Sequence, residues 1–377
     1  MSEKKTKLQV ESEKVEMLVN LTNKKIVELG VHTYYLYNAL VLIQSLFDKI
    51  RNVPTCTQNE YERIKQVRMN WKQQVEKIEN DYNEATKSQM NKGLVVTSMG
   101  IGLAVLGPTA AMGVATTFGV ASTGVSISAL SGAAATNAAL AWLGGGTLAA
   151  GGGGIAAGET LLALAGPIGW AIAGMAFLTS GFLFWKLKSD KEKLENVFLL
   201  ICKRDNASYS QAIVEMNERI NRIVDETKKL ESAIVDIVDF GTDYNEMTED
   251  QKYTLGAYVN LMNASTQLLV NPILGLQPNF SDEDFNKFIS VFYPCVDIRL
   301  YCESHKSIII YMANLLYKID IDESDRKLLA KSFMNNKEFI EKMRIDKKDI
   351  NVEFFGVIDR ILKYAYVNCK KVQILRN

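Results

Sequence analysis

Residues 213–237 read IVEMNERINRIVDETKKLESAIVDI, and they carry the clearest helix signal in the chain. Apolar residues recur there at alternating intervals of three and four positions, with one polar member, Thr227. This spacing places them along one stripe of a helix, as in a heptad seam. The seam consists of Ile213, Met216, Ile220, Ile223, Thr227, Leu230, Ile234 and Ile237. We therefore predict an all-α fold built on long, coiled-coil-like helices.

Two more helices are predicted upstream of this seam. Between Tyr61 and Tyr82 the apolar positions are again three or four residues apart, which indicates an amphipathic helix. An earlier helix is expected over about Leu8 to Ile50, and Pro54 separates the two because proline disfavours helix in the residue before it. Residues 31–50 are apolar nearly all round, which predicts burial on several sides.

A nearly uncharged segment, Gly93 to Trp185, separates these helices from the seam, and we call it the insert. Glu159 is its only charged side chain, and it holds 20 of the 25 glycines of the chain. Residues 160–185 and a window that begins at Gly93 are each long enough to span a bilayer, which takes about 20 apolar residues. The simplest geometry is an antiparallel pair of long helices with a Gly/Ala-rich hydrophobic hairpin at the far end.

Small residues recur at every fourth position in the middle of the insert, on two rows that pass through Gly145 and Gly153 and through Gly154. Such rows let membrane helices approach closely, whereas a flexible glycine-rich loop is the alternative interpretation. Aromatic residues next to Lys186 and Lys188 are typical of a membrane interface. The candidate membrane-insertion and packing residues are Trp142, Gly145, Gly153, Gly154, Glu159, Trp170, Phe182, Phe184 and Trp185.

Glu159 allows three interpretations, because a carboxylate at bilayer depth costs about 2.5–3.5 kcal/mol on insertion scales. It is an exposed loop acid, a turn residue between two apolar helices, or a group that faces a water-filled lumen. The flanking seams do not require the insert, so the sequence predicts that the flanks fold without it. A soluble form would hide the insert, and a membrane would receive it.

The remaining residues, 241–377, are expected to form a small, mostly helical domain. Thr248 with Gln251 reads as a capping box, Ser281 as a second cap, and Asp322 or Ser324 as a third. The run Ile308–Tyr311 fits either a strand or a helix. The predicted divisions are 1–92 for the N-terminal helices, 93–185 for the insert, 186–240 for the return helix and 241–377 for the C-terminal domain.

The composition excludes several classes of function. The formal net charge is zero, which argues against a nucleic-acid binder. No P-loop, GxSxG or dinucleotide-binding pattern occurs, and Cys295, Cys302 and His305 do not have a zinc-site spacing, so we expect no enzyme, no cofactor and no metal site. Five scattered cysteines and the lack of a signal-peptide pattern predict a cytoplasmic protein.

The architecture of residues 61–240 resembles the bacterial α-helical pore-forming toxins. The insert, with Gly151-Gly152-Gly153-Gly154, is also similar to colicin hydrophobic hairpins and to the membrane-addressing segment of the apolipoprotein L group. The resemblance implies a lipid membrane as partner, homo-oligomers on that membrane, and an intracellular toxin or antiviral defence effector, with a partner protein as a further option. The alternative is a membrane-anchored coiled-coil scaffold or adaptor that forms no pore.

Overall fold

The computed structural model describes residues 6–91, 108–119, 188–277, 279–280, 282–292, 296–335, 348, 350–351 and 354–364. These residues form helices and no β-strand, which confirms the all-α prediction. The helices are α1 Lys7–Phe47, α2 Thr55–Asn91, α3 Pro108–Phe118, α4 Lys188–Val238, α5 Glu249–Val270, α6 Asp282–Phe292, α7 Val296–Ser304, α8 Lys306–Leu315, α9 Glu323–Asn335 and α10 354–364. Short 3₁₀ turns cover Tyr244–Glu246 and Leu274–Leu276.

The two turns α1–α2 and α4–α5 meet at one end of the bundle. The Arg51 N–H donates to the carbonyl of Thr242, the Tyr244 N–H donates to the carbonyl of Arg51, and the Asn52 side-chain amide donates to both carboxylate oxygens of Asp243. Asn52 and Gly241 have positive φ angles of 63° and 80°, which make these turns tight. Helix α2 therefore runs away from this end and α4 runs toward it, so the two helices run in opposite directions.

The long helix α4 packs chiefly along α1, however, and the two helices run in the same direction. Where the two helices first come into contact, Asn206 Nδ2 of α4 donates to Glu11 Oε2 of α1 at 2.6 Å. Both helices end beside the Arg51–Asp243 junction. Helix α2 packs against α3 and α5 instead. The seam predicted over residues 213–237 is buried, except that Thr227 and Ile234 are half-buried.

Local signals in the sequence predicted several helix ends correctly. Thr248 and Gln251 form the expected capping box, with the Gln251 N–H donating to Thr248 Oγ1 at 3.2 Å. Asp322 begins α9, because its Oδ1 accepts from the Asp325 N–H at 2.8 Å. The ambiguous run Ile308–Tyr311 lies inside the helix α8.

One segment of the insert, α3, lies inside the bundle. Every residue from Ala110 to Phe118 is buried, and α3 packs against α1, α2 and α5. This helix has 11 residues, too few to be stable alone in water, so its form depends on the surrounding packing. Because α1, α2 and α5 pack on this segment, the structure favours the opposite of the expectation that the flanks fold without the insert.

The second half of α1 also differs from the expectation that it is buried on several sides. Val31, Tyr34, Tyr35, Val41 and Leu42 are between 39% and 58% exposed. A high apolar content did not mean that every face has a partner among the described residues.

We predict that two deletions behave differently. Replacing residues 93–185 with a polar linker should abolish cooperative unfolding, because it uncovers the apolar faces that α3 fills on α1, α2 and α5. Replacing only residues 122–185 should preserve it. In this second variant the linker runs from near Gly119 to Lys188. Gly119 lies beside the same turn as Arg219, which is about 45 Å along α4 from Lys188. A linker of about 25 Gly/Ser residues is longer than this distance when extended.

Circular dichroism during urea unfolding measures both outcomes. Equal cooperativity of the two deletion variants would show that α3 is dispensable to the bundle.

Candidate functional site around the buried insert helix

Helices α1 and α3 touch through two glycines. A Cβ atom added to Gly30 would lie 2.0 Å from the carbonyl oxygen of Thr109, and one added to Gly113 would lie 2.1 Å from the carbonyl oxygen of Ile26. Real Cβ atoms do not approach backbone oxygens so closely, so only glycine fits at both positions. The two backbones are therefore in direct contact, a geometry that small residues allow in membrane and soluble helices alike.

Unpaired hydroxyl groups lie on the helices at this interface. Thr22 and Thr33 on α1 and Thr116 on α3 are fully buried, and their Oγ1 atoms have no hydrogen-bond partner among the described residues. Thr117 differs, because its hydroxyl donates to the carbonyl of Gly113 at 2.7 Å. An unpaired buried hydroxyl costs about 1–3 kcal/mol, so the docking of α3 carries a built-in penalty.

The end of α3 is fixed by the turn that follows α5. The Ile273 N–H donates to the carbonyl of Thr117 at 2.8 Å. Gly119 follows in a left-handed conformation, with φ at 75°, and a Cβ atom there would lie 2.6 Å from the carbonyl oxygen of Val270. This glycine ends the helix and lets the chain pass close to the turn.

The other side of this turn is held by α4. Arg219 Nη1 donates to the carbonyls of Leu268 and Asn271 at 2.9 and 2.8 Å, which caps the end of α5. Glu215 Oε2 accepts from the Gly275 N–H at 3.2 Å. The turn 271–277 thus links the end of α3 to α4, the longest described helix, and we call this turn the clamp.

A buried polar cluster joins α4 to the C-terminal helices. Arg204 donates from Nε and Nη2 to Asp205 Oδ1 at 2.9 and 2.8 Å, and its Nη1 donates to the carbonyls of Asn314, Leu315 and Tyr317 at the end of α8. A cation there also complements the helix dipole of α8. Asp205 Oδ2 and the Tyr209 hydroxyl are buried and have no partner among the described residues.

Burial governs the titration of this cluster. It raises the pKa of Asp205 to about 6, although the neighbouring Arg204 favours the ionised carboxylate. Burial also raises the pKa of the Cys202 thiol to about 12, so this cysteine is unreactive. Asp205 is thus the buried carboxylate of this cluster whose charge changes near neutral pH.

The nine candidate residues of the insert lie outside the described residues, so their predicted roles remain predictions. Sequence reasoning missed Gly30, Gly113 and Gly119, although Thr109, Gly113 and Thr117 form a row of small residues at every fourth position. It also missed Arg204 and Asp205.

Among the described residues, no group of three His, Cys, Asp or Glu side chains could hold a metal ion.

Comparison with known proteins identifies no relative. No protein-family profile matches the chain, and no curated protein or solved structure gives a significant match. One described helix, α1, is long and apolar enough to cross a membrane, with a mean hydropathy of 1.3 in its best window. The core helix of a soluble protein and a signal sequence share that property.

Gly113→Ala should destabilise the protein by about 1–3 kcal/mol, because the added methyl group overlaps the backbone of α1. Gly256→Ala on α5 is the matched control. No atom lies within 4 Å of its added Cβ, so this substitution should stabilise the protein by up to about 1 kcal/mol through helix propensity. Urea unfolding midpoints give both values, and equal effects would contradict the close α1–α3 contact.

Asp205→Asn should flatten the pH dependence of stability. The pKa of Asp205 is higher in the folded than in the unfolded protein, so its contribution is full below about pH 4 and is lost as pH rises through about 6. The difference of about two pKa units corresponds to a loss on the order of 3 kcal/mol.

Free energies of unfolding between pH 4 and 7.5 measure this loss in the wild type. Asp243→Asn is the control, because Asn52 and the Asn245 N–H lower the pKa of that exposed carboxyl and move its titration below this range. An unchanged slope in Asp205→Asn would contradict the assignment.

Proposed function

We propose that the protein is a membrane-active helical protein that stores part of its apolar insert within a soluble bundle. The buried position of α3 carries this proposal. An uncharged helix from the insert is docked through close glycine contacts, and the Thr116 hydroxyl on this helix is buried without a hydrogen-bond partner among the described residues. Its core partners are α1, α2 and α5. Release of α3 would remove this docked part of the insert, Pro108–Phe118, from the bundle.

The finer features of the proposal follow from the sequence. The insert enters a bilayer, copies assemble there, and the assembly permeabilises the membrane. The protein is cytoplasmic while α3 is docked and membrane-associated after release, as an intracellular toxin or defence effector would be. Glu159 then lies at a turn or in a lumen, where it influences insertion rate or ion selectivity.

The physical logic is a competition between two environments for the same helix. In the bundle, α3 gains burial of Met112, Val114 and Phe118 but leaves the Thr116 hydroxyl unpaired. In a membrane, apolar side chains are equally well solvated by lipid, and small residues allow close helix packing. The proposal therefore requires a trigger that makes the membrane state of α3 more favourable than its docked state.

Dye release from vesicles of phosphatidylcholine and phosphatidylglycerol tests this function. We expect Gly113→Ala to release dye several-fold faster than the wild type, because it weakens α3 docking, and Gly256→Ala to be no faster. The variant that lacks residues 122–185 should neither release dye nor float with vesicles.

Each alternative has its own result in this experiment. Flotation of the wild type without dye release would favour the membrane-anchored scaffold over a pore-former. Equal flotation of the wild type and of the variant without residues 122–185 would show that residues 122–185 have no role in membrane binding.

A further inference from the structure

Helix α1 carries two seams on opposite sides. The inner seam is buried at every position, with residues alternately four and three apart from Val15 to Phe47. It consists of Val15, Val19, Thr22, Ile26, Leu29, Thr33, Leu36, Leu40, Ile43 and Phe47. This seam faces α3, α4 and α5, and it accounts for the core packing of α1.

The outer seam has the same spacing, runs from residue 10 to residue 42, and is exposed at all ten positions. Its apolar members are Val10, Met17, Leu21, Val31, Tyr35 and Leu42, and its polar members are Lys14, Lys24, Glu28 and Asn38. The remaining exposed large apolar residues of α1, Tyr34 and Val41, lie directly beside it. A heptad-spaced apolar stripe about 50 Å long is typical of a helix that pairs with another helix.

The outer seam is complementary to itself when reversed. If a second α1 lies antiparallel to the first about a two-fold axis near residue 26, residue i faces residue 52 − i of the other copy. Every apolar member then meets an apolar member. The facing residues are Val10 with Leu42, Met17 with Tyr35, and Leu21 with Val31.

The polar members match in the same register. Lys24 faces Glu28 of the other copy, twice by symmetry, and Lys14 faces Asn38. Glu28 Oε2 accepts from Lys25 Nζ of its own helix at 2.7 Å, and its other carboxylate oxygen is suited to accept from Lys24 of the second copy. An isologous two-fold interface requires this self-complementarity.

We propose that the outer seam of α1 is a homodimer interface in which two copies pack antiparallel about residue 26. The proposal concerns the protein in water and does not rest on the membrane activity. A groove of about 460 Å³ beside the seam supports it. Met17, Leu21 and Lys24 line this groove, where Tyr35, Val31 and Glu28 of the second copy would lie.

Other occupants fit the seam less well. A parallel second copy would place Lys24 against Lys24 and Glu28 against Glu28, which is repulsive. A lipid bilayer would have to bury Lys24 and Glu28 at the middle of the stripe, which is costly. The insert has one charged residue, Glu159, so it supplies no partner for both charges.

A charge exchange tests the interface on the full-length protein by sedimentation velocity without lipid. We expect a concentration-dependent dimer for the wild type and at least tenfold weaker dimerisation for Lys24→Glu and for Glu28→Lys. In a homodimer of either variant, like charges face each other at both contacts between residue 24 of one copy and residue 28 of the other. An equimolar mixture of the two should recover the dimer, because each chain then meets opposite charges at both pairs.

The mixture distinguishes the loss of a contact between two copies from the loss of charge pairing within one helix. Residues 24 and 28 carry like charges within each variant chain, so intrahelical pairing stays broken while the heterodimer forms. Val31→Lys should also abolish the dimer, whereas Val235→Lys on the exposed face of α4, where Val235 is 67% exposed, should not. Circular dichroism confirms that each variant is folded.

Cysteine cross-linking tests the direction, in a background with Cys56, Cys295 and Cys369 changed to serine. Leu21→Cys mixed with Val31→Cys should form a disulfide-linked dimer, and Leu21→Cys alone should not. A wild type that stays monomeric at 100 μM, a mixture of charge variants that stays monomeric, or self-linking of Leu21→Cys would each overturn the proposal.

Discussion

The contact between the backbones of α1 and α3 is the constraint on which the rest of the bundle depends. With hydrogen atoms in place of side chains at Gly30 and Gly113, the helices approach until each Cα faces a carbonyl oxygen of the other. That approach draws α3 deep enough for α2 and α5 to close around it, and the turn after α5 then holds its end through Thr117. Helix α3 of the uncharged insert therefore fills part of the core that the charged flanking helices form.

The same contact adds little side-chain burial between α1 and α3. Glycine contributes no side-chain burial, and the hydroxyls of Thr22, Thr33 and Thr116 gain nothing from the interface. Apolar packing against α1, α2 and α5 and the clamp at residues 271–277 retain α3 in the bundle. The clamp is tied to Glu215 and Arg219, and the cluster of Arg204 and Asp205 ties the same helix to the end of α8. Helix α4 thus connects the docked segment mechanically to the C-terminal region.

The helices were predictable where a local period encodes them. The seam at 213–237 and the capping box at Thr248 each depend on residues a few positions apart, and the structure has both. The docking of α3 was not predictable in the same way, because it pairs Gly30 with Gly113, and two isolated glycines have no period. Buried Asp205 gave no signal either, since a carboxylate in a charged helix reads as solvated. The direction of α4 relative to α1 depends on the turns at Asn52 and Gly241, which lie far apart in sequence.

Two seams on one helix also explain why α1 has the hydropathy of a membrane span. Each seam needs apolar residues at about two positions in seven, so together they make about four positions in seven apolar, and this raises the hydropathy of the helix without any contact with lipid. The charges of the outer seam argue the same way, because Lys24 and Glu28 would face each other across the proposed dimer but would lie without opposite charges in a bilayer. Helix α3 packs on the inner seam of α1, and the proposed dimer would place a second copy on its outer seam, so α1 is the helix around which the described residues are organised.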